Sequence, residues 1–146
     1  MGIRPFKILL VDDDFSDVEL TRQILRKSRV PVQIQSVSNG ETALAFLRRE
    51  NGHALAPRPD LILLDLDMPV MDGRELLRTV KADPSLKFIP VVVLTTFNVA
   101  EEIVSSYGLG ANAYVNKPMD ISQFAQVEQI VEDFWIRRQQ LRHEDC

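Results

Sequence analysis

Three continuous runs of apolar residues constrain the fold of this chain most. Ile8–Val11, Leu61–Leu64 and Val91–Leu94 each contain four apolar residues in succession. Strands that are buried on both faces have this pattern, whereas a strand with one face in water alternates apolar and polar residues. Val32–Gln35 does alternate, which predicts a strand at the edge of the sheet, and Ala113–Val115 is a shorter fifth candidate.

Helical patterns separate the predicted strands. They lie at about Asp17–Ser28, Glu41–Arg49, Gly73–Lys81, Ala100–Tyr107 and Ile121–Arg138. Strict alternation of strands and helices predicts an α/β fold, in which a doubly wound parallel sheet carries helices on both faces, because right-handed crossovers place them there. The 146 residues are a normal length for one domain. We therefore expect one domain over residues 1–146, with its core at about 5–138 and a tail at 139–146.

Composition narrows the class of protein. The chain is 45% hydrophobic and 26% charged, with a net charge of −4, which is typical of a soluble globular protein and unfavourable for binding nucleic acid. Its one cysteine, Cys146, allows neither an internal disulfide nor a cysteine-based metal site, so we expect a cytoplasmic protein. The first residues are too short for a signal peptide or a membrane span, and we expect no membrane partner.

Polar residues stand at the ends of four predicted strands. Asp12–Asp14 follow the first, Asp65 the third, Thr95–Thr96 the fourth, and Asn116–Pro118 the fifth. Sites in parallel sheets form beyond the carboxyl ends of the strands, so these side chains are expected to meet at one rim. An isolated Asp65 would more often be a helix cap, but several carboxylates close together repel one another unless a cation lies among them. An all-oxygen site with open positions favours Mg²⁺.

The other polar residues at this rim have ordinary alternatives. Lys117 is either a solvated surface lysine or a point charge that offsets the acids and binds an incoming anion. Thr95 is either a β-branched strand residue or a hydroxyl donor to the same anion, and Tyr114 taken alone is more often a core residue. The sequence contains no phosphate-binding loop of the GxxxxGK[ST] type, no GxGxxG, no HExxH and no GxSxG.

Four motifs, in order, resemble the receiver domain of two-component response regulators. They are VDDD after strand one, D-x-D-M-P-x-M-D-G after strand three, LTT after strand four and NKP after strand five. The resemblance spans nearly the whole chain and implies a flavodoxin-like (βα)5 receiver fold with strand order 2-1-3-4-5. ILLVDDDFSDVELT, DPSLKFIPVVVLTT and the long last helix are further similar to single-domain regulators that are partnered with bacterial phytochrome kinases.

The resemblance also implies a role for each motif acid. Asp65 matches the phosphoacceptor, and Asp67 matches the position whose backbone carbonyl binds the metal. Asp12 and Asp13 match the acidic pair, with Asp13 a direct Mg²⁺ ligand and Asp12 one step removed. Asp14 leaves a one-residue ambiguity in that pair, but counting from the end of ILLV favours Asp12 and Asp13. The effect of the Asp67 side chain stays open.

Three further positions are assigned by the same resemblance. Thr95 matches the hydroxyl that contacts the phosphoryl group, Lys117 the lysine of the family, and Tyr114 its rotating aromatic switch. The resemblance further implies a cis peptide between Lys117 and Pro118.

The resemblance implies a stand-alone phosphorylation switch, not an enzyme beyond slow self-dephosphorylation. A sensor histidine kinase, a phytochrome in the narrower resemblance, would supply the phosphoryl group, and the output would be a protein contact. The alternatives are an adaptor that is never phosphorylated, and a phosphatase with an aspartyl nucleophile. Such enzymes carry their D-x-D on the first strand with Thr or Val two residues on, whereas Met68 and Pro69 follow Asp67 here.

The last predicted helix carries more apolar surface than one sheet can cover. Its apolar residues span an arc of roughly 240°, against the ≳100° stripe that docking requires. They are Phe124, Val127, Ile130, Val131, Phe134, Trp135 and Ile136. This surplus predicts a homodimer through the face of helix four, strand five and helix five, unless a neighbouring helix or the tail Gln139–Cys146 covers it.

Overall fold

The computed structural model describes residues 5–28, 30–50, 52–66, 73–95, 110–116 and 127–137. Its strands are β1 (Phe6–Val11), β2 (Val32–Val37), β3 (Leu61–Asp65), β4 (Val91–Thr95) and β5 (Ala113–Asn116). Its helices are α1 (Phe15–Arg26), α2 (Gly40–Arg48) and α3 (Gly73–Ala82), and residues 127–137 are also helical. The predicted helix Ala100–Tyr107 and the Lys117–Pro118 peptide lie outside the described residues.

The five strands form one parallel sheet in the order β2-β1-β3-β4-β5. The predicted fold and strand order are confirmed, and β2, the strand with the alternating pattern, lies at an edge. The third strand occupies the centre, with β1 on one side and β4 on the other. A side chain at the carboxyl end of β3 therefore lies in the middle of the rim at which the sequence predicts a site.

The continuous apolar runs supply two hydrophobic clusters, one on each face of the sheet. Leu9 packs in the cluster beneath α2 and α3, while its neighbour Leu10 packs with α1 and the helical residues 127–137. Both leucines are completely buried. Full burial of one such side chain contributes roughly 1.5–3 kcal/mol, so a strand with both faces covered gains from every residue. This explains why β1, β3 and β4 lack the alternation that β2 shows.

Capping residues set where the first two helices begin. Asp14 accepts a hydrogen bond from the Asp17 N–H at 3.1 Å, so α1 starts at Phe15, two residues before the predicted start. Asn39 accepts one from the Thr42 N–H at 2.8 Å and starts α2 in the same way. Each cap satisfies an N–H that has no partner within its own helix. The sequence pattern missed this because it follows the apolar face, which begins after the cap.

The edge strand β2 is bound to α1 by one side chain. The guanidinium of Arg22 donates to the Ile34 carbonyl and to the Ser36 hydroxyl, both at 3.0 Å. The carbonyl belongs to a strand that has a partner on one side only, because β2 is outermost in the sheet. Arg22 therefore occupies a backbone acceptor on β2.

Among the described residues, no helix is long and apolar enough to cross a membrane.

Candidate phosphoacceptor and metal site

Asp65 is the last residue of the central strand β3, where the sequence pattern ended the strand one residue earlier. It is the backbone partner of Leu94 in β4, and only 4% of its surface is exposed. A buried carboxylate is costly unless other groups compensate its charge. The position and burial of Asp65 therefore mark it as a residue with a specific role rather than as a solvated loop acid.

Two further carboxylates converge on Asp65 from the end of β1. Asp12, which follows the strand directly, is 3% exposed, and Asp13 is exposed to solvent. One carboxylate oxygen from each of the three residues lies within 4.8 Å of the others. Strands β1 and β3 are hydrogen-bonded neighbours, so their parallel direction brings the two chain segments to the same point. The structure thus brings together three of the acids that the sequence predicts at this rim.

The spacing of these oxygens fits a small divalent cation. Mg²⁺ binds oxygen ligands at about 2.0–2.1 Å in octahedral geometry, so two ligands on opposite sides of the ion are about 4.2 Å apart. Three carboxylates this close repel one another, and a cation among them removes the repulsion. Asp12, Asp13 and Asp65 could therefore hold such an ion, with Asp13 on the solvent side, where water can complete the coordination.

Asp14 forms different contacts from Asp12 and Asp13. Its side chain caps α1, and its backbone N–H donates to Asp12 Oδ1 at 2.9 Å. The second bond holds the Asp12 carboxylate against the start of the helix. Among the described residues, the cluster of oxygens that could bind a cation contains Asp12, Asp13 and Asp65 but not Asp14. This favours Asp12 and Asp13 as the acidic pair.

We expect substitutions of Asp13 and Asp14 to affect two different properties, cation binding for Asp13 and stability for Asp14. Asp14→Ala removes the cap and should lower the free energy of unfolding by about 1 kcal/mol, with little change in cation affinity. Asp13→Ala removes an exposed carboxylate from the cluster and should weaken cation binding at little cost in stability. Urea denaturation and calorimetric titration with Mg²⁺ or Mn²⁺ measure the two quantities. Loss of cation binding in Asp14→Ala alone would reassign the pair to Asp13 and Asp14.

Gly73 is the last residue of the D-x-D-M-P-x-M-D-G motif, but no role was assigned to it from the sequence. It begins α3, and its N–H donates to the Leu66 carbonyl at 3.0 Å. A Cβ atom at Gly73 would lie 2.4 Å from the Asp65 carbonyl oxygen and 2.6 Å from the Leu66 Cα. Both are backbone atoms, so only glycine allows α3 to start this close to the end of β3. The local signal was a glycine at the first helical position, where other residues are usually preferred.

The structure describes two of the remaining predicted site residues, Thr95 and Tyr114, but not the other two. Thr95 ends β4 and is the backbone partner of Asn116, the last residue of β5. Tyr114 lies in β5 as the partner of Val93. Both positions are on strands that run toward the rim with the acids. Asp67 and Lys117 lie outside the described residues.

An open groove adjoins the acid cluster on the α1 side. Its volume is about 680 Å³, and Asp12 and Asp13 form part of its wall. Phe15, the first residue of α1, also lines this groove and is 77% exposed. His53 reaches the same groove and contacts the Phe46 ring, with ring centroids 5.7 Å apart, a contact the sequence did not predict. Asp13 is thus the member of the cluster that is accessible to a partner from this side.

Comparison with known proteins identifies the family. Residues 8–128 match the family model of the response regulator receiver domain. The chain is 39% identical over 132 residues to the response regulator Rcp1 of Synechocystis sp., covering 90% of both sequences. The chain therefore belongs to the response regulator receiver family, as the four motifs predicted.

Two solved structures are similar over nearly their whole length. The phosphorylated cyanobacterial phytochrome response regulator RcpA superposes with a TM-score of 0.81 at 45% identity, covering 91% of this chain and 95% of that one. The Mn²⁺-bound form of Rcp1 superposes with a TM-score of 0.79 at 40% identity, covering 90% of this chain and 94% of that one. RcpA is a phytochrome response regulator, in agreement with the narrower resemblance in the sequence.

Proposed function

We propose that this chain is the phosphoacceptor of a two-component phosphorelay and that Asp65 receives the phosphoryl group. The observation that carries the proposal is the convergence of Asp12, Asp13 and Asp65 at the centre of the sheet rim. A carboxylate is already ionised at neutral pH, so Asp65 needs no general base to act as a nucleophile. Its oxygen forms the new P–O bond while the bond between phosphorus and the donor histidine nitrogen breaks.

The chain's own groups would position and stabilise the transferring group. We assign Asp13, the Asp65 side chain and the backbone carbonyl of Asp67 as the metal ligands. Asp12 would lie next to these ligands without binding the metal itself. Mg²⁺, when bound, supplies positive charge against the phosphoryl oxygens. Lys117 adds a second positive charge, and burial of Asp65 limits the access of water. The relative Rcp1 was solved with Mn²⁺, which supports a divalent ion here.

Phosphorylation would shift the chain between two packings of one fold. The phosphoryl group adds close to two negative charges and new acceptor oxygens at Asp65. The Thr95 hydroxyl moves to bond one of these oxygens, and Tyr114 rotates into the space that is vacated. The output is then a protein contact rather than catalysis, with at most slow self-dephosphorylation.

The proposed donor is a sensor histidine kinase of the phytochrome type in the cytoplasm. Similarity to RcpA, a cyanobacterial phytochrome response regulator, supports this choice over other kinase classes. The large groove beside the cluster offers room for a protein donor. We further propose that residues 1–146 act as a single receiver domain and that neither nucleic acid nor a membrane is a partner.

Incubation with acetyl phosphate and Mg²⁺, followed by intact-mass measurement, tests the function directly. A switch gains one phosphoryl group, which is lost again over time and does not form when Mg²⁺ is chelated. A receiver-like adaptor gains none. A phosphatase would turn over phosphate esters without accumulating an adduct. Either of the last two results rules the proposal out.

We also propose that the regulator forms a homodimer through the face of the predicted fourth helix, β5 and the last helix. In that helix Val127 and Val131 are buried, while Ile130, Phe134 and Trp135 are only partly buried. The indole Nε1 of Trp135 is buried and has no hydrogen-bond partner among the described residues, and Ile136 is 42% exposed. Within residues 127–137, the hydrophobic cluster covers much of this apolar surface and Ile136 stays exposed, whereas Phe124 lies outside the described residues.

We expect light scattering to detect a dimer whose fraction rises with concentration and changes when a phosphoryl donor is added. Coupling between the two events must be reciprocal, so dimerisation would also change the extent of phosphorylation. Ile136→Lys should shift the equilibrium to monomer, because the change places a charge on the remaining apolar surface. Gln129→Lys, at an exposed position of the same helix, is the matched control. A monomer under all conditions at tens of micromolar contradicts the proposal.

A further inference from the structure

A second cavity lies at the end of the sheet opposite the acid cluster. Its volume is about 300 Å³. Phe6, the first residue of β1, lines it together with Asp60, which precedes β3, and Asn112, which precedes β5. The amino ends of the strands therefore form its floor, whereas Asp65 lies at a carboxyl end. Nothing in the proposed phosphorylation chemistry uses this cavity.

Three phenylalanine rings, those of Phe6, Phe88 and Phe134, contribute to the wall of the cavity. Phe88 is 76% exposed although it lies in a well-anchored loop. The ammonium of Lys81 donates to the carbonyls on either side of it, at 3.1 Å to Lys87 and 3.0 Å to Ile89. The backbone that carries Phe88 is therefore already fixed, so a ligand that binds there does not have to order the loop.

Positive and negative charges lie on different sides of the cavity. Arg137 lines it with its guanidinium over the Phe134 ring, 5.2 Å from the centroid, and is exposed. Within the described part of the chain, Arg137 has no carboxylate within ion-pair distance. Asp60 lies on the floor, where Oδ2 accepts a hydrogen bond from the Lys7 N–H at 2.8 Å. The rim therefore carries the positive charge and the floor the negative one.

We propose that this cavity binds a small planar monoanion, an aromatic carboxylate, with its carboxylate on Arg137 and its rings against the phenylalanines. An apolar cavity of about 150 Å³ accommodates benzene, and pockets for drug-sized ligands have volumes of about 300–1,000 Å³, so the volume here suits one or two fused rings. Guanidinium groups bind carboxylates through paired hydrogen bonds, and the Arg137 guanidinium lies over the Phe134 ring at the rim of the cavity.

The same charges select against other small molecules. A polyphosphate or dianion would bring negative charge toward Asp60 and leave the phenylalanine rings without an apolar partner. A neutral aromatic would fill the volume but leave Arg137 without its anion. The expected order of affinity is therefore aromatic carboxylate first, its neutral amide second and a nucleotide last.

Calorimetric titration with 2-naphthoate, and with 2-naphthamide as the neutral match, tests the inference on the full chain. We expect the amide to bind at least about tenfold more weakly, because a hydrogen bond between two charged groups is stronger than one to a neutral amide. Arg137→Gln should weaken naphthoate by a similar factor, and Arg26→Gln, an exposed arginine on α1, should not. Phe88→Ala provides a second variant, at an exposed position where folding is not at risk. The backbone amide of Asn112 should shift in NMR spectra, and that of Asp13 should not.

Several results would overturn this assignment. Equal affinity for the amide and the carboxylate, or an unchanged affinity in Arg137→Gln, would show that the cavity does not bind a carboxylate through Arg137. A large gain in naphthoate affinity in Leu141→Ala would mean that residues 138–146 of the chain itself occupy the cavity. A gain on dilution would point to a second copy instead. The result does not depend on Asp65, so Asp65→Asn should bind naphthoate like the native chain, whether or not the proposed phosphorylation holds.

Discussion

Asp65→Asn is expected to lower labelling by acetyl phosphate on the order of 10³-fold or more, to below the detection limit of intact-mass measurement. Asparagine keeps the shape of the side chain but has neither the negative charge nor the free oxygen that forms the P–O bond. The fold should be retained, because Asp65 is one of three clustered carboxylates and its neutralisation relieves repulsion. In the absence of metal, the midpoint of urea unfolding should be equal to or above that of the native chain.

Asp17→Asn is the matched control, since Asp17 lies in the first turn of α1 and outside the cluster. It should be labelled like the native chain. Labelling of Asp65→Asn at the native rate would falsify the assignment of the phosphoacceptor. Loss of labelling together with a large loss of stability would mean that Asp65 holds the fold rather than the phosphoryl group.

Gly73→Ala is expected to destabilise the protein by about 2–4 kcal/mol. The added methyl group would meet two backbone atoms, the Asp65 oxygen at 2.4 Å and the Leu66 Cα at 2.6 Å. Neither can move without a shift of α3 or of the end of β3. Helix propensity alone predicts the opposite sign, a gain of up to about 1 kcal/mol for alanine over glycine in a helix. The sign of the change therefore decides which effect dominates.

Urea denaturation measures this change, and Arg78→Ala, at an exposed position of α3, is its control. Phosphorylation adds a second measurement, because a shift at the end of β3 moves the Asp65 carboxylate. We expect Gly73→Ala to be labelled more slowly than the native chain at temperatures where both are folded. A variant that is as stable as the native chain would show that α3 can begin slightly farther from β3 at no cost.

The fold was largely predictable because its strongest determinant is local. An unbroken run such as Leu61–Leu64 can be read from the sequence, and it indicates burial on both faces before any contact is known. The boundaries were less predictable. Asp14 and Asn39 determine where two helices start through single hydrogen bonds, and an apolar periodicity does not register them. The strand β3 likewise extends to Asp65, which pairs with Leu94 as part of the sheet.

The acids of the candidate site were predictable for a topological reason. Once parallel strands are expected, Asp12, Asp13 and Asp65 must meet at one rim, and the structure places their oxygens together. The sequence already favoured Asp12 and Asp13 as the acidic pair, but it did not predict that Asp14 caps α1, because this depends on which carboxylate turns toward the helix. The contact of Gly73 with β3 was not predictable either, since it joins an element to a strand end that only the folded chain brings near.

The side chain of Arg22 has a consequence for how copies of this protein can associate. An outermost strand with open backbone groups is a template onto which another chain can add a strand, and such additions lead to aggregates. The Ile34 carbonyl of β2 is already bound by that guanidinium, and polar side chains such as Gln33 and Gln35 face solvent beside it. Growth of the sheet beyond β2 would first have to displace a charged group from its acceptor. The contact of Arg22 with β2 therefore disfavours the addition of a strand at this edge of the sheet.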